Sequence, residues 1–188
     1  MGTCKRIKVQ KIVLISLAVL WAILLLGLWL LRHGTVSGGQ LTIYFMKSDS
    51  RKPVLVEVRR RPGLSGRDLS RLERTFRELV QGPLPEEKES GLISCIPNDV
   101  KILRIFMQDD ILYLDLNKTI ESGGGVSEME GRLAQLVYTA VAYPGVNKLR
   151  LLIEGKEIKS FGGEGLTEVD HPMTKSDFSE YEIEEALQ

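Results

Sequence analysis

Few residues in this chain are of a type and spacing that could do chemistry. The only histidines are His33, beside a long apolar run, and His171, in an acidic stretch near residue 188. Neither is placed for a fixed triad or a multi-histidine metal site. No CxxC, HExxH or GxSxG occurs. Cys95, in "LISCIP", has no base beside it and is read as a packed, inert thiol. Asp109 and Asp110 are adjacent carboxylates, a pair that could serve acid/base work or calcium. They fall between two strand-like runs, where Asp supports a turn, and the turn reading is preferred. "SGGGVSEMEG" has the look of an anion-cradling turn before a helix. It lacks the Lys-Ser/Thr of a P-loop, and Glu128 and Glu130 would repel phosphate. No catalytic, cofactor-binding or metal-ligating residue is assigned, no cofactor is expected, and an enzyme is not expected.

The cations offer more. Arg59, Arg60 and Arg61 precede a helical pattern in which Arg67, Arg71 and Arg74 recur at helical spacing, opposite the apolar stripe Leu69, Leu72, Phe76, Leu79 and Val80. One reading is a solvated face partly paired with Glu73 and Glu78. The other makes Arg67, Arg71 and Arg74 a partner contact for acidic lipid or for an acidic surface such as the tail of a neighbouring subunit. Asp115 interrupts the apolar run "ILYLDL" and is expected to accept hydrogen bonds from loop backbone around Asn117 to Thr119.

The elements that position these residues begin outside the soluble part. Ile12 to Leu31, "IVLISLAVLWAILLLGLWLL", is twenty residues without a charge, which as a helix would span about 30 Å, a bilayer core. A buried core helix and a cleaved signal peptide are the weaker readings, because the run is apolar all round and long. Lys5, Arg6, Lys8 and Lys11 precede it and Arg32 alone lies close after it, so the positive-inside rule keeps the N-terminus cytoplasmic and sends the rest across as a single-pass protein. Cys4 and Cys95 then fall on opposite sides and cannot pair within one chain. Net charge is zero overall and the central region is balanced, which gives no support to nucleic-acid binding.

Residues 1–11 are thus a basic cytoplasmic segment, 12–31 a transmembrane helix, 32–40 a tether containing "GTVSGGQ", 41–160 a folded domain and 161–188 an acidic tail. "LTIYF" and "VLVEV" alternate as strands, Val100 to Met107 and Ile111 to Leu116 form a second hairpin, and Leu149 to Glu154 a last strand. Helices run from Arg67 to Gln81, stopped by Gly82-Pro83, and from a Ser127/Glu130 capping box to Pro144-Gly145. The order ββαββαβ predicts an α+β fold with two layers, a mixed, mostly antiparallel sheet with both helices on one face. The tail is expected to be mostly mobile, with a short helix over Phe178 to Leu187.

"LVQGP", "CIPNDVKI", "LYLDLN" and "LRLLIEGKEI", in that order and spacing, resemble the GerMN domain of sporulation and spore germination, over about Leu41 to Ile158. The resemblance marks Gly82, Pro83, Pro97, Asp115 and Gly155 as structural motif positions. It implies a bacterial envelope protein whose domain has no known catalytic centre, similar to modules that assemble side by side into rings in the sporulation channel. The chain departs from the better-known pattern in having one domain copy and a membrane helix in place of a lipobox cysteine. The expected function is a non-catalytic, membrane-anchored assembly module outside the cytoplasm, with other envelope proteins or further copies of itself as partners. The alternative is a module that binds a cell-wall ligand in a concave, aromatic-lined pocket.

Overall fold

The computed structural model describes residues 21, 40–48, 52–61, 71–162 and 167–186. The chain divides into two compact units, Met1–Gly39 and Gln40–Gln188. In the first, Trp21 is helical and exposed, and the rest of the span expected over residues 12–31 lies outside the described residues. Among the described residues no helix is long and apolar enough to cross a membrane.

The second unit opens with an antiparallel hairpin of β1 (Leu41–Lys47) and β2 (Val54–Arg60). Helix α1 (Arg71–Gln81) ends at Gly82, whose φ of 82° is a left-handed conformation that glycine adopts without a Cβ penalty. A short helix α2 (Pro85–Glu89) and strand β3 (Leu92–Ile93) follow, and β3 joins the other edge of β1 at Met46 and Lys47. A second hairpin, β4 (Ile102–Gln108) and β5 (Ile111–Leu116), turns at Asp109 and Asp110, with Asp109 at φ 55°. Helix α3 (Val126–Val141) then leads to β6 (Lys148–Ile153), which runs parallel to β5, as an intervening helix allows.

The elements beyond β6 correct the expected fold. Strands β7 (Lys156–Glu157), β8 (Ser160–Phe161), β9 (Thr167–Glu168) and β10 (Glu182–Glu185) complete two four-stranded sheets, ordered β10-β2-β1-β3 and β4-β5-β6-β7, and a small β8-β9 hairpin. The fold is α+β, but with two sheets where one was expected. The stretch read as an acidic tail is part of the folded unit, and its end is a strand parallel to β2, not a helix. The reason is apolar residues placed singly among the acids: Phe161, Val169, Met173, Phe178 and Tyr181 are all buried. Burying a large side chain of this kind contributes about 1.5–3 kcal/mol.

Nor do the helices share a face. Leu41, Ile43 and Phe45 lie opposite Arg60, Val58 and Val56, and Arg60 from that face bonds Glu78 and Gly82 at the end of α1. On the other face Tyr44 meets Tyr138 of α3, with ring centroids 5.5 Å apart. The hairpin is therefore covered on both sides, and "VLV" at its centre is the near-continuous apolar run that such burial requires.

Candidate functional site

Helix α3 is the centre of the unit. From Gly131 to Ala140 every residue is buried, including the polar Arg132, Gln135 and Thr139, which recur at spacings of three and four and so share one stripe. That stripe faces backbone. Thr139 Oγ1 accepts from Tyr44 N–H at 3.1 Å, and Gln135 Nε2 donates to Tyr44 O at 3.1 Å. Beyond the two residues paired with β3, the helix thus takes the place of a strand along β1. Gln135 Oε1 also accepts from Cys95 N–H at 2.8 Å.

Arg132, 1% exposed, gathers two connections, β3–β4 through Cys95 and β5–α3 through Ile120 and Gly123. Its Nε donates to Cys95 O at 2.7 Å, Nη1 to Ile120 O at 2.8 Å and Nη2 to Gly123 O at 2.8 Å. Glu128, half exposed, neutralises it from one turn back at 3.2 Å. Such satisfaction of a buried charge by carbonyls and one carboxylate is what makes its desolvation tolerable. The three polar residues were invisible in the sequence, since a charge on an amphipathic helix reads as a solvent face. The Ser127/Glu130 capping box does not form: Gly125 is the N-cap, and Glu128 is spent on Arg132.

Each motif position has a definite place in the fold. Gly82 is buried, and its carbonyl accepts from Arg60 Nη2 at 3.1 Å. The Arg60 side chain also pairs with Glu78 and Glu87 and lies 5.3 Å from the centroid of Phe45. Glu87 in turn accepts from Leu84 N–H at 2.7 Å, so α2 is fastened to β2 just beyond the buried Pro83. Pro97 O accepts from Val100 N–H, closing the turn into β4. Asp115 accepts from Gly155 N–H at 2.8 Å, not from the loop at residues 117–119. Asn117 serves that loop instead, bonding Asp99 O, Lys101 N–H and Thr119 Oγ1. Gly155 sits at φ 79° in the β6-β7 turn, directly against the Asp115 carboxylate.

Of the expected contact arginines, Arg67 lies outside the described residues. Arg71 and Arg74 are half-buried, and Arg71 donates to Gln40 O at 2.8 Å and lies 5.5 Å from the Tyr143 ring centroid. Arg71 thus fastens the entry to β1. The exposed cation of α1 is Arg77, paired with Glu73.

Among the described residues, chemically reactive groups do not converge. Cys95 is half-buried, and burial, with the Glu128 charge, pushes its thiol up to about 11, which suits packing against Gly131. His171 lies between Asp170 and Asp177 at 3.1 and 3.5 Å; the Asp170 bond raises its pKa above the ordinary value, and the ring is exposed. Among the described residues no three His, Cys, Asp or Glu side chains gather as a metal site. The open hollows of about 540 and 290 Å³, lined by residues such as Lys118, Thr119, Glu121, Glu86 and Glu184, carry no aromatic side chain, and a third of about 320 Å³ carries only Tyr181.

What remains on the surface is a sheet edge. β4 is the terminal strand of its sheet, with Leu103 50% and Met107 40% exposed, a register shift between Ile102 and Arg104, and Arg104 lying 5.0 Å from the Phe106 ring centroid. Phe106 is itself stacked on Tyr113.

Residues 42–159 match the family model named Germane, described as sporulation and spore germination. Among solved structures, the tandem GerMN domains of the sporulation protein GerM from Bacillus subtilis are 24% identical with a TM-score of 0.56, over 72% of this chain and 45% of that one. The chain therefore spans less than half of that tandem structure. The first GerMN domain of the same protein aligns with a TM-score of 0.58 and 13% identity over 73% of this chain and 98% of that one. At these identities the likeness is one of fold. A comparison with curated proteins finds no match.

Proposed function

Because the chain belongs to the Germane family of sporulation and spore germination, we propose that it is a non-catalytic module, anchored in the bacterial cell membrane by residues 12–31, that works outside the cytoplasm by protein-protein assembly. The anchor and the topology rest on the uncharged run and its basic flank alone. Assembly is supported by one observation above the others: the buried polar side chains Arg132, Gln135 and Thr139 bond within the fold itself, while a seven-residue sheet edge bearing exposed Leu103 and Met107 is left without a strand neighbour among the described residues. A long edge offers unpaired backbone groups to another chain, and the Arg104 charge and the register shift beside it restrict which strand can be added. A ligand-binding reading draws less support from the open hollows among the described residues, in which Tyr143 and Tyr181 are the aromatic side chains.

Crosslinking of the tagged full chain in sporulating and vegetative cells, with identification of the captured proteins, tests the reading. Capture of envelope proteins specific to sporulation, or of further copies of the chain, is expected. Recovery of vegetative wall enzymes alone overturns it.

A further inference from the structure

The two sheets end in four edges, of which β3 and β7 are two residues long, β4 is seven and β10 is four. The longer two are unlike. β4 carries Arg104 within it and is preceded by Lys101, both exposed, beside exposed Leu103 and Met107. β10 is Glu-Ile-Glu-Glu, exposed throughout, with Ile183 44% exposed. Building on the assembly reading above, we propose that the β4 edge of one copy pairs with the β10 edge of a second copy, joining their sheets head to tail.

Charge selects this pairing over its alternatives. Two β10 edges together would set glutamates against glutamates, and two β4 edges would set Arg104 against its own kind, whereas β4 on β10 brings opposite charges together and lets Ile183 meet the Leu103/Met107 surface. The β10 acids do have cations nearby in their own chain, Glu182 on Lys52, Glu184 on Lys47 and Glu185 on Arg59. All three pairs are exposed, and the last is 3.4 Å long with Glu185 75% exposed, so a second cation is accommodated at little cost. Because the paired edges differ, each copy offers one donor and one acceptor edge, and the contact repeats until it closes on itself or extends. Backbone pairing supplies affinity in such strand addition, and the side chains supply choice of partner.

The test uses the full chain in detergent, with self-association followed by analytical ultracentrifugation. Arg104→Glu and Glu185→Lys are each expected to weaken association by about tenfold or more, since each creates like-charge contacts across the edge. Mixing the two variants is expected to restore association, because each then meets an opposite charge at both edges. Circular dichroism spectra matching the parent confirm that both variants fold. A parent that is monomeric at every concentration overturns the self-assembly reading as well as this contact. A parent that associates while the variants associate equally, or a mixture that fails to recover, overturns the β4-β10 contact and leaves assembly through another surface.

Discussion

Replacing Arg132 by methionine removes a guanidinium that is 1% exposed and leaves the carbonyls of Cys95, Ile120 and Gly123 without their donors at 2.7–2.8 Å. An orphaned buried acceptor costs about 1–3 kcal/mol. The Ile120 bond is buried and the other two are part-buried, so together they would sum to about 2–6 kcal/mol; release from desolvating a cation offsets part of that, and a net loss of about 2–4 kcal/mol is expected. Arg132→Lys keeps the charge and a single reach, and falls between. Glu128→Gln removes only a half-exposed partner and costs less than about 1 kcal/mol. Urea unfolding followed by far-UV circular dichroism measures all three. Tryptophan fluorescence is a poor reporter here, because Trp21 and Trp29 both precede the folded unit. A methionine variant within about 1 kcal/mol of the parent, or a Glu128→Gln variant as damaged as Arg132→Met, refutes the view that one arginine pins two connections to α3.

Three further outcomes follow from individual positions. A Cβ on Gly131 would lie 2.8 Å from Cys95 Sγ, so Gly131→Ala is expected to destabilise by about 1–3 kcal/mol; in a Cys95→Ala background the clash is gone, and the helix gain of up to about 1 kcal/mol makes the same change neutral or stabilising in thermal melts. Asp115→Ala should lose about 1–2 kcal/mol with the bond to Gly155 N–H, and Asp115→Asn, which keeps an acceptor oxygen, should lose less by urea titration. His171 should titrate above its ordinary value in NMR, held up first by Asp170, and Asp170→Asn should bring it down; with the folded pKa raised, its small contribution to stability is fully present below the unfolded pKa and fades as pH rises through the folded one.

The sequence was most legible where burial follows a period. Leu41, Ile43 and Phe45 alternate as a strand, and Leu72, Phe76 and Leu79 fall on one helical face; all six are buried. It was least legible where burial is local and unrepeated. Phe161, Val169, Met173, Phe178 and Tyr181 are spaced too irregularly among acids to announce strands, so β8 to β10 went unread. The polar stripe of α3 failed for a different reason. Whether Arg132, Gln135 and Thr139 meet water or backbone groups depends on where distant segments come to rest, and nothing within the helix encodes that. Asp115 shows the same limit in miniature: its bond to backbone was foreseeable, but its donor lies forty residues downstream.

The parallel pairing of β10 with β2 has a consequence for biogenesis. Glu182 lies opposite Val54, a separation of 128 positions (182 minus 54), so the first sheet cannot be finished until nearly the whole unit has emerged from the ribosome. Contacts at such separation form late, because their loop-closure entropy is met only after local structure is in place. The delay suits the proposed topology, in which the domain crosses a membrane before it folds. With its sheet incomplete the domain stays open, and the last strand to arrive closes it.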